Sequence, residues 1–143
     1  MINVRLVLDT DAIVAAMRSP RGASAALLIA AQSARVTLLL SVPLAIEYEA
    51  ICSKPEHQIA AGLSQEEANQ FVTAVIALAE PVFIHYLWRP RLPDPNDEMV
   101  LEAAVNGQAL AIVTFNKRDY GSVPNEFGVE VLLPAEALRR VQS

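Results

Sequence analysis

The aspartates of this chain are few, and they lie only at junctions between predicted segments. The sequence holds five of them among 16 acidic residues, whereas the eleven glutamates are scattered, mostly over helix-like segments. If folding brings these junctions together, the carboxylates would form a pocket suited to binding a divalent cation and hydrolysing a phosphodiester. The five residues are Asp9, Asp11, Asp94, Asp97 and Asp119.

Repulsion within such a pocket would itself predict a ligand. Two carboxylates about 4 Å apart repel each other by on the order of 4 kcal/mol at an effective dielectric constant of about 20. A cluster of three or four therefore persists only by taking up protons or by binding a cation. Oxygen ligands alone favour Mg²⁺ or Mn²⁺ over zinc, and a pair of such ions can stabilise both the attacking and the leaving oxygen.

The segments that would position these acids alternate between strand and helix. Three of the strand-like runs are almost continuously apolar, which is typical of a parallel sheet covered on both faces in an α/β fold. The predicted strands are 4–9, 36–41, 109–114 and 129–133, and 82–88 is expected to be extended. The predicted helices are 22–34, 43–53, 64–80, 96–106 and 134–141.

Position within these elements selects the candidate residues. Sites in parallel sheets form at the carboxyl ends of the strands, where Asp9 and Asn116 are expected. Glu47 borders the apolar face of the helix at 43–53, so it could converge on Asp9. The capping-box pair Ser64 and Glu67 fixes the start of the helix at 64–80.

Helical spacing also sorts the acids of the helix at 96–106. Asp97 shares a face with Leu101 and Ala104 and is predicted to point inward with the core side chains. Glu98 and Glu102 are predicted to lie on another side of this helix. Asp97 is therefore the candidate site residue of the three.

Each acid also has a purely structural interpretation, which stays open at this point. Asp11 could be the N-cap of a helix, and Asp94 and Asn96 could be turn and cap residues. Asp97 could be a first-turn acid favoured by the helix dipole, and Glu47 a solvated helix residue.

Composition narrows the class of protein. With 143 residues, 53% of them hydrophobic, the chain is expected to form one domain, 1–143, with a substantial core. Cys52 is the single cysteine and is predicted to be a buried thiol. No signal peptide and no membrane-spanning run is expected, which predicts a cytoplasmic protein. The net charge of −5 argues against a nonspecific nucleic-acid coat.

Four motifs in order resemble the PIN-domain family, over roughly residues 4–136. They are VLDTD (7–11), SVPLAIEYEAICSKP (41–55), DPNDEMVLEAA (94–104) and IVTFNKRDY (112–120). Within that family, the chain is most similar to the branch regarded as toxins of prokaryotic toxin–antitoxin pairs.

The resemblance implies a three-layer α/β/α sandwich with a central parallel β-sheet. It also implies a ribonuclease that depends on Mg²⁺ or Mn²⁺ and cleaves RNA with an acidic cluster. Asp9, Glu47 and Asp97 match the first three acids of the family, and Asp119 matches a further acid that is often present nearby. These four are the predicted metal ligands.

The chain departs from the family at two positions. Thr114 matches a hydroxyl residue at the end of the fourth strand, but two residues later Asn116 stands where the family usually has aspartate. Asp11 stands where the family more often has asparagine. Asn116 is predicted to act in catalysis through its amide, and Thr10, Asp11, Asp94 and Thr114 are predicted to support the site.

Partners and substrate contacts follow from the same resemblance. It implies RNA as the substrate, a cognate antitoxin, a homodimer and no membrane. Binding of the RNA backbone would need cations near the pocket. The candidates are Lys117, Arg118, Arg18 and Arg21, with Lys54 as a further one.

Two alternatives come from different classes of protein. VLDTD also resembles the strand end of haloacid-dehalogenase phosphatases, in which Asp9 would be the nucleophile and Asp11 the acid/base, with Lys54 or Lys117 as the required lysine. The other alternative is a non-catalytic interaction module in which Asn116 marks a decayed site.

Overall fold

A five-stranded parallel sheet forms the centre of the structure, a computed structural model that describes residues 3–86 and 90–142. The strands lie in the order β3-β2-β1-β4-β5. Each hydrogen-bonded pair is parallel, which confirms the predicted sheet. Their bounds are Val4–Leu8 (β1), Val36–Leu40 (β2), Glu80–Pro81 (β3), Ala111–Val113 (β4) and Glu130–Leu132 (β5).

Helices of varied length connect these strands. Two of the shorter ones, the first and the fourth, were not predicted as elements. The bounds are Thr10–Arg18 (α1), Ala23–Gln32 (α2), Val42–Cys52 (α3), Pro55–Ala61 (α4), Gln65–Leu78 (α5), Pro95–Asn106 (α6) and Pro134–Gln142 (α7). The predicted capping box at the start of α5 is confirmed, since the side chains of Ser64 and Glu67 each accept the other's backbone N–H.

The strand order reverses direction at β1. The chain runs outward through β2 and β3, then returns through α6 to β4 on the other side of β1. Because crossovers between parallel strands are right-handed, this reversal puts α6 on the opposite face from α1 and α2 and gives the three-layer α/β/α sandwich. The crevice beyond β1 and β4, where Leu8 is in register with Val113, is the place where such folds bind ligands.

The core explains why these runs form strands. Leu6, Val7 and Leu8 of β1 are almost completely buried, as are Ile112 and Val113 of β4, so both faces of the central strands are covered. Burying side chains of this size contributes roughly 1.5–3 kcal/mol each. That core holds the carboxyl ends of the two strands side by side.

The run at 82–88, expected to be extended, contains no strand among its described residues, and the strand lies just before it. The strand is Glu80–Pro81, and the Val82 backbone N–H still donates to the Leu40 carbonyl at 2.9 Å. Proline is tolerated there because β3 lies at the edge of the sheet. Residues 82–86 form no regular element, and Leu87 and Trp88 lie outside the described residues. Within the described ranges, no helix is long and apolar enough to cross a bilayer.

Candidate active site

Asp9 stands at the end of β1 and is held by hydrogen bonds from Thr10, Thr114 and Tyr120. Its Oδ1 accepts the backbone N–H of Thr10 at 2.7 Å, and its Oδ2 accepts the hydroxyls of Thr114 and Tyr120, both at 2.9 Å. The residue is 8% exposed. Asp9 is the N-cap of α1, so the interpretation of Asp11 as that cap was wrong. Asp11 lies one step further on, in the first turn.

Asp11 joins α1 to the loop after β4. Its Oδ2 accepts the backbone N–H of Phe115 at 3.1 Å and the side-chain amide of Asn116 at 3.4 Å. Its Oδ1 is buried and has no hydrogen-bond partner among the described residues. Burial, followed by the negative charge of Asp9, raises the pKa of Asp11 from 3.8 to about 6.

Thr114 connects the two aspartates of β1 and α1. Its Oγ1 is completely buried, 2.9 Å from Asp9 Oδ2 and 3.3 Å from Asp11 Oδ2, so the hydroxyl can donate to either. The same oxygen accepts the backbone N–H of Asn116 at 3.0 Å. The carboxyl ends of β1 and β4 are thus bound together by side chains that the sequence had singled out.

Asp97 is the acid that α6 brings to this group. It is 8% exposed, as its helical face predicts, and its Oδ2 finds no hydrogen-bond partner within the described part of the chain. Burial is the largest cause that raises its pKa from 3.8 to about 7, followed by the charges of Asp9, Asp94 and Asp119. Hydrogen bonding from Tyr120 partly offsets this rise.

Tyr120 is the site residue that sequence reasoning missed. The 3₁₀ segment Lys117–Asp119 carries it inward, where it is 1% exposed, and its hydroxyl donates to Asp9 and influences the pKa of Asp97. Burial and those two carboxylates raise the pKa of Tyr120 far above 10, so it is a hydrogen-bond donor at any physiological pH. Its only signal in the sequence was an aromatic residue directly after a run of charged ones.

Of the other acids of α6, one is the N-cap of the helix and two are buried. Asp94 is the N-cap of α6 and accepts the backbone N–H of Asn96 at 2.9 Å, which confirms its structural interpretation. The prediction that sets Glu98 and Glu102 apart from the buried face was wrong, since both are buried. One oxygen of Glu98 accepts the backbone N–H groups of Arg91 and Leu92, each at 2.6 Å, so it holds the preceding loop against the helix.

Glu47 and Asp119, the other two predicted metal ligands, are more exposed than Asp9 and Asp97. Glu47 is half-buried on α3, one residue before Tyr48, whose hydroxyl donates to the Leu8 carbonyl. Asp119 is exposed and acts on Asp97 through its charge. In ranges 3–86 and 90–142, no three Asp, Glu, His or Cys side chains are arranged to hold a metal ion. Metal ligation by Glu47 and Asp119 stays a prediction.

The side chains predicted to bind the RNA backbone differ in their surroundings. Arg18 ends α1 and lines a cavity that Thr10 and Asp11 also line. Lys117 forms an ion pair with Glu136 of α7 at 2.5 Å, so a phosphatase lysine is not provided at that position. Exposed positions are occupied by Arg21, Lys54 and Arg118.

The cysteine fits its predicted role as a buried thiol. Cys52 is buried at the end of α3, and burial raises the pKa of its thiol to about 11, which makes it a poor nucleophile. His85 is exposed and His57 is half-buried on α4.

Comparisons with known proteins agree with the observed fold. A family model described as PIN domain matches residues 5–118. No curated protein matches the chain. Among solved structures, the chain is similar to the crystal structure of VapBC2 from Rickettsia felis bound to a DNA fragment from their promoter, with a TM-score of 0.62 and 15% identity. That match covers 90% of this chain and 97% of the other, and it supports the same fold.

Proposed function

This chain belongs to the PIN-domain family, whose members are generally nucleases, and from that premise we propose that it is a divalent-metal-dependent endoribonuclease, the toxin of a toxin–antitoxin pair. The observation that carries the proposal is the buried pair Asp9 and Asp97 at the switch point of the sheet, where the negative charge of Asp9 acts on Asp97 and the Tyr120 hydroxyl donates to Asp9. Perturbed carboxyl pKa values in a crevice are typical of functional sites.

The residues of this centre fit Mg²⁺ or Mn²⁺. The donor set is oxygen only, and Asp97 carries a buried oxygen without a partner in the described structure. Three neighbouring carboxylates raise the pKa of Asp97, and a bound cation would relieve that repulsion. Asp9 and Asp97 would hold the ion, with Glu47 and Asp119 as further ligands. When bound, the ion would supply charge neutralisation at the phosphate and activation of water.

Side chains of the protein would then orient the ligands of the ion and the substrate. Asp9 is fixed by its hydrogen bonds from Thr10, Thr114 and Tyr120, so its carboxylate keeps one orientation. Asp97 Oδ2 has no hydrogen-bond partner within the described residues, so it is available as a ligand of the ion. Thr114 and Asn116 hold the loop after β4 against Asp11, and Asn116 keeps its side-chain oxygen for the substrate or its water.

The partners follow the same reasoning. A cognate antitoxin is proposed from the toxin resemblance, and the likeness to VapBC2 is consistent with it. A homodimer is supported by two exposed side chains one turn apart on α3, Val42 (73% exposed) and Ile46 (60% exposed).

Cleavage of pooled cellular RNA in Mn²⁺ tests the proposal. Wild-type protein is expected to cut the RNA and EDTA to abolish cutting. Asp9→Asn and Asp97→Asn should each lower the rate at least about 100-fold, a part of the several kcal/mol that a bound ion contributes to transition-state stabilisation. The matched control is Glu66→Gln, which changes an exposed acid on α5 and should cut like wild type. Full activity of Asp97→Asn would overturn the assignment, and absence of cutting together with absence of Mn²⁺ binding would favour an interaction module.

A further inference from the structure

A groove along α1 adjoins the acid cluster, and nothing in the function proposed above requires it. Its larger part is a cavity of about 520 Å³, within the roughly 300–1,000 Å³ typical of small-ligand sites. The wall shares Thr10 and Asp11 with the carboxylate centre, so an occupant would lie next to the reacting phosphate. The fourth helix, which the sequence did not predict, contributes His57 to the same wall.

Phe115 is the most conspicuous side chain of this groove. It is 51% exposed although it directly follows the completely buried Thr114. Its backbone N–H donates to Asp11 Oδ2 at 3.1 Å, which ties its position to the acid cluster. A second cavity of about 310 Å³ shares Phe115, Ala15 and Ser19 with the first, so the phenyl ring stands between two adjoining cavities.

The chemistry of the groove fits flat aromatic ligands that carry negative charge. Val14 and Ile51 give the larger cavity an apolar part, and Asp11 and Ser19 give it hydrogen-bonding groups. The exposed guanidinium of Arg18 provides a cation. Unpaired nucleotides combine these features, because their bases can stack on aromatic side chains while their phosphates pair with arginine. Bases inside a duplex could not enter such cavities.

We propose that this groove binds unpaired nucleotides of the RNA next to the scissile phosphate, with one base in the larger cavity stacked on Phe115. Arg18 pairs with a neighbouring phosphate, and the second cavity takes the next base. The inference rests on the proposed ribonuclease function and adds to it two RNA-contacting residues of this chain, Phe115 and Arg18, and a source of base preference beside the cut.

Binding without cleavage tests the groove directly. Fluorescence anisotropy in EDTA would measure the affinity of full-length variants for an eight-nucleotide single-stranded RNA. Phe115→Ala should weaken binding on the order of 10- to 100-fold, the scale of one lost base–aromatic stack, and Phe115→Trp should retain it. Phe83→Ala is the matched control, since Phe83 is another exposed phenylalanine, 74% exposed, in the segment after β3.

Two further variants separate stacking from charge. Arg18→Ala should lower the slope of log affinity against log salt by about one phosphate contact. Arg35 is an exposed arginine just before β2, at the amino ends of the strands and away from the groove. Arg35→Ala should leave that slope unchanged. Replacing single bases of the RNA by abasic sites should weaken wild-type binding at one or two adjacent positions and should have little further effect on Phe115→Ala.

Mapping of cut ends distinguishes failure of this inference from failure of the proposed function. Wild type should show a base preference beside the cut, and Phe115→Ala should lose it with KM raised more than kcat is lowered. If Phe115→Ala cleaves RNA with the base preference and the affinity of wild type, the proposed groove is wrong and the proposed nuclease function is unaffected. If wild type does not cleave RNA, the anisotropy measurements still test whether the groove binds it. Equal RNA affinity of wild type and Phe115→Ala would then show that the proposed groove is wrong.

Discussion

The side-chain amide of Asn116 donates to the carboxylate of Asp11, with Nδ2 and Oδ2 3.4 Å apart. These are the two positions at which the chain departs from the resemblance, which has asparagine more often at the first and aspartate usually at the second. The structure brings the two departures into contact. The amide–carboxylate pair is therefore kept with its members exchanged, and the number of negative charges at the pair is unchanged.

This contact predicts that the two positions are energetically coupled. Asp11→Asn removes the carboxylate of the pair, and Asn116→Asp sets two carboxylates against each other. Each single variant should lower kcat/KM on the order of 10-fold, whereas the double exchange should recover most of the wild-type rate, since contacting residues couple by up to a few kcal/mol. The measurement is RNA cleavage by the four proteins in the same Mn²⁺ concentration. A double variant as impaired as the product of the two singles would show that the positions act independently.

Stability of the metal-free protein should fall as the pH rises from about 4 to about 7. Asp97 keeps its proton up to about pH 7 when folded, whereas an unfolded aspartate loses its proton near its ordinary pKa of 3.8. The unfolded chain therefore binds fewer protons in this window, and the folded state loses free energy of unfolding as the pH rises. The effect should be on the order of 2 kcal/mol, about half of what the full shift would give, because water can screen part of it.

Urea unfolding across this pH range would measure the loss. Asp97→Asn, which cannot titrate, should flatten the profile and should be more stable than wild type above pH 7. Added Mn²⁺ should stabilise wild type most at pH 7 and above, where binding does not have to displace a proton. A wild-type stability that rises between pH 4 and pH 7 would contradict the raised pKa values of Asp11 and Asp97.

Tyr120→Phe should change the pH dependence of cleavage and not only stability. Loss of the hydroxyl removes one hydrogen bond to Asp9 Oδ2 and the hydrogen bonding that lowers the pKa of Asp97. The acidic limb of the kcat profile should therefore move to higher pH, and the free energy of unfolding should drop by about 1 kcal/mol. Tyr48→Phe is the matched control, because that buried hydroxyl donates to the backbone carbonyl of Leu8. It should cause a similar loss of stability without moving the limb.

Glu98→Ala should destabilise the fold, although Glu98 directly follows Asp97, a proposed metal ligand. The change leaves the backbone N–H groups of Arg91 and Leu92 without their acceptor, which should lower the free energy of unfolding by roughly 2–4 kcal/mol. The Mn²⁺ affinity of the protein that remains folded should stay close to that of wild type. Unchanged thermal unfolding would show that water replaces the carboxylate, and the structural role would be wrong.

The order of elements followed from local patterns that the tertiary structure did not override. The apolar runs of β1, β2 and β4 are buried, which is typical of a parallel sheet covered by helices on both faces. The inward face of Asp97 followed from helical spacing alone. The position of Asp9 at a strand end followed in the same way.

Other features depended on contacts between distant segments. The short α4 buries none of its residues, so no hydrophobic periodicity marked it. Glu98 is buried because the preceding loop folds back and donates two N–H groups to it, an arrangement that the spacing of α6 does not encode. Equally, only the turn after β4 carries the Tyr120 hydroxyl to Asp9, 111 residues earlier in the chain.

The sequence by itself determined which residue types were available and where each stood within its own element, because helical and strand periodicities are set by local backbone geometry. It therefore determined the α/β sheet, the acids at its junctions and the two exchanged residues, Asp11 and Asn116. Only the tertiary structure decided that these two residues touch, that the Tyr120 hydroxyl donates to Asp9 and that Phe115 stands beside them in a groove. Such contacts depend on how packed layers align side chains from separate segments, and no single segment contains that alignment.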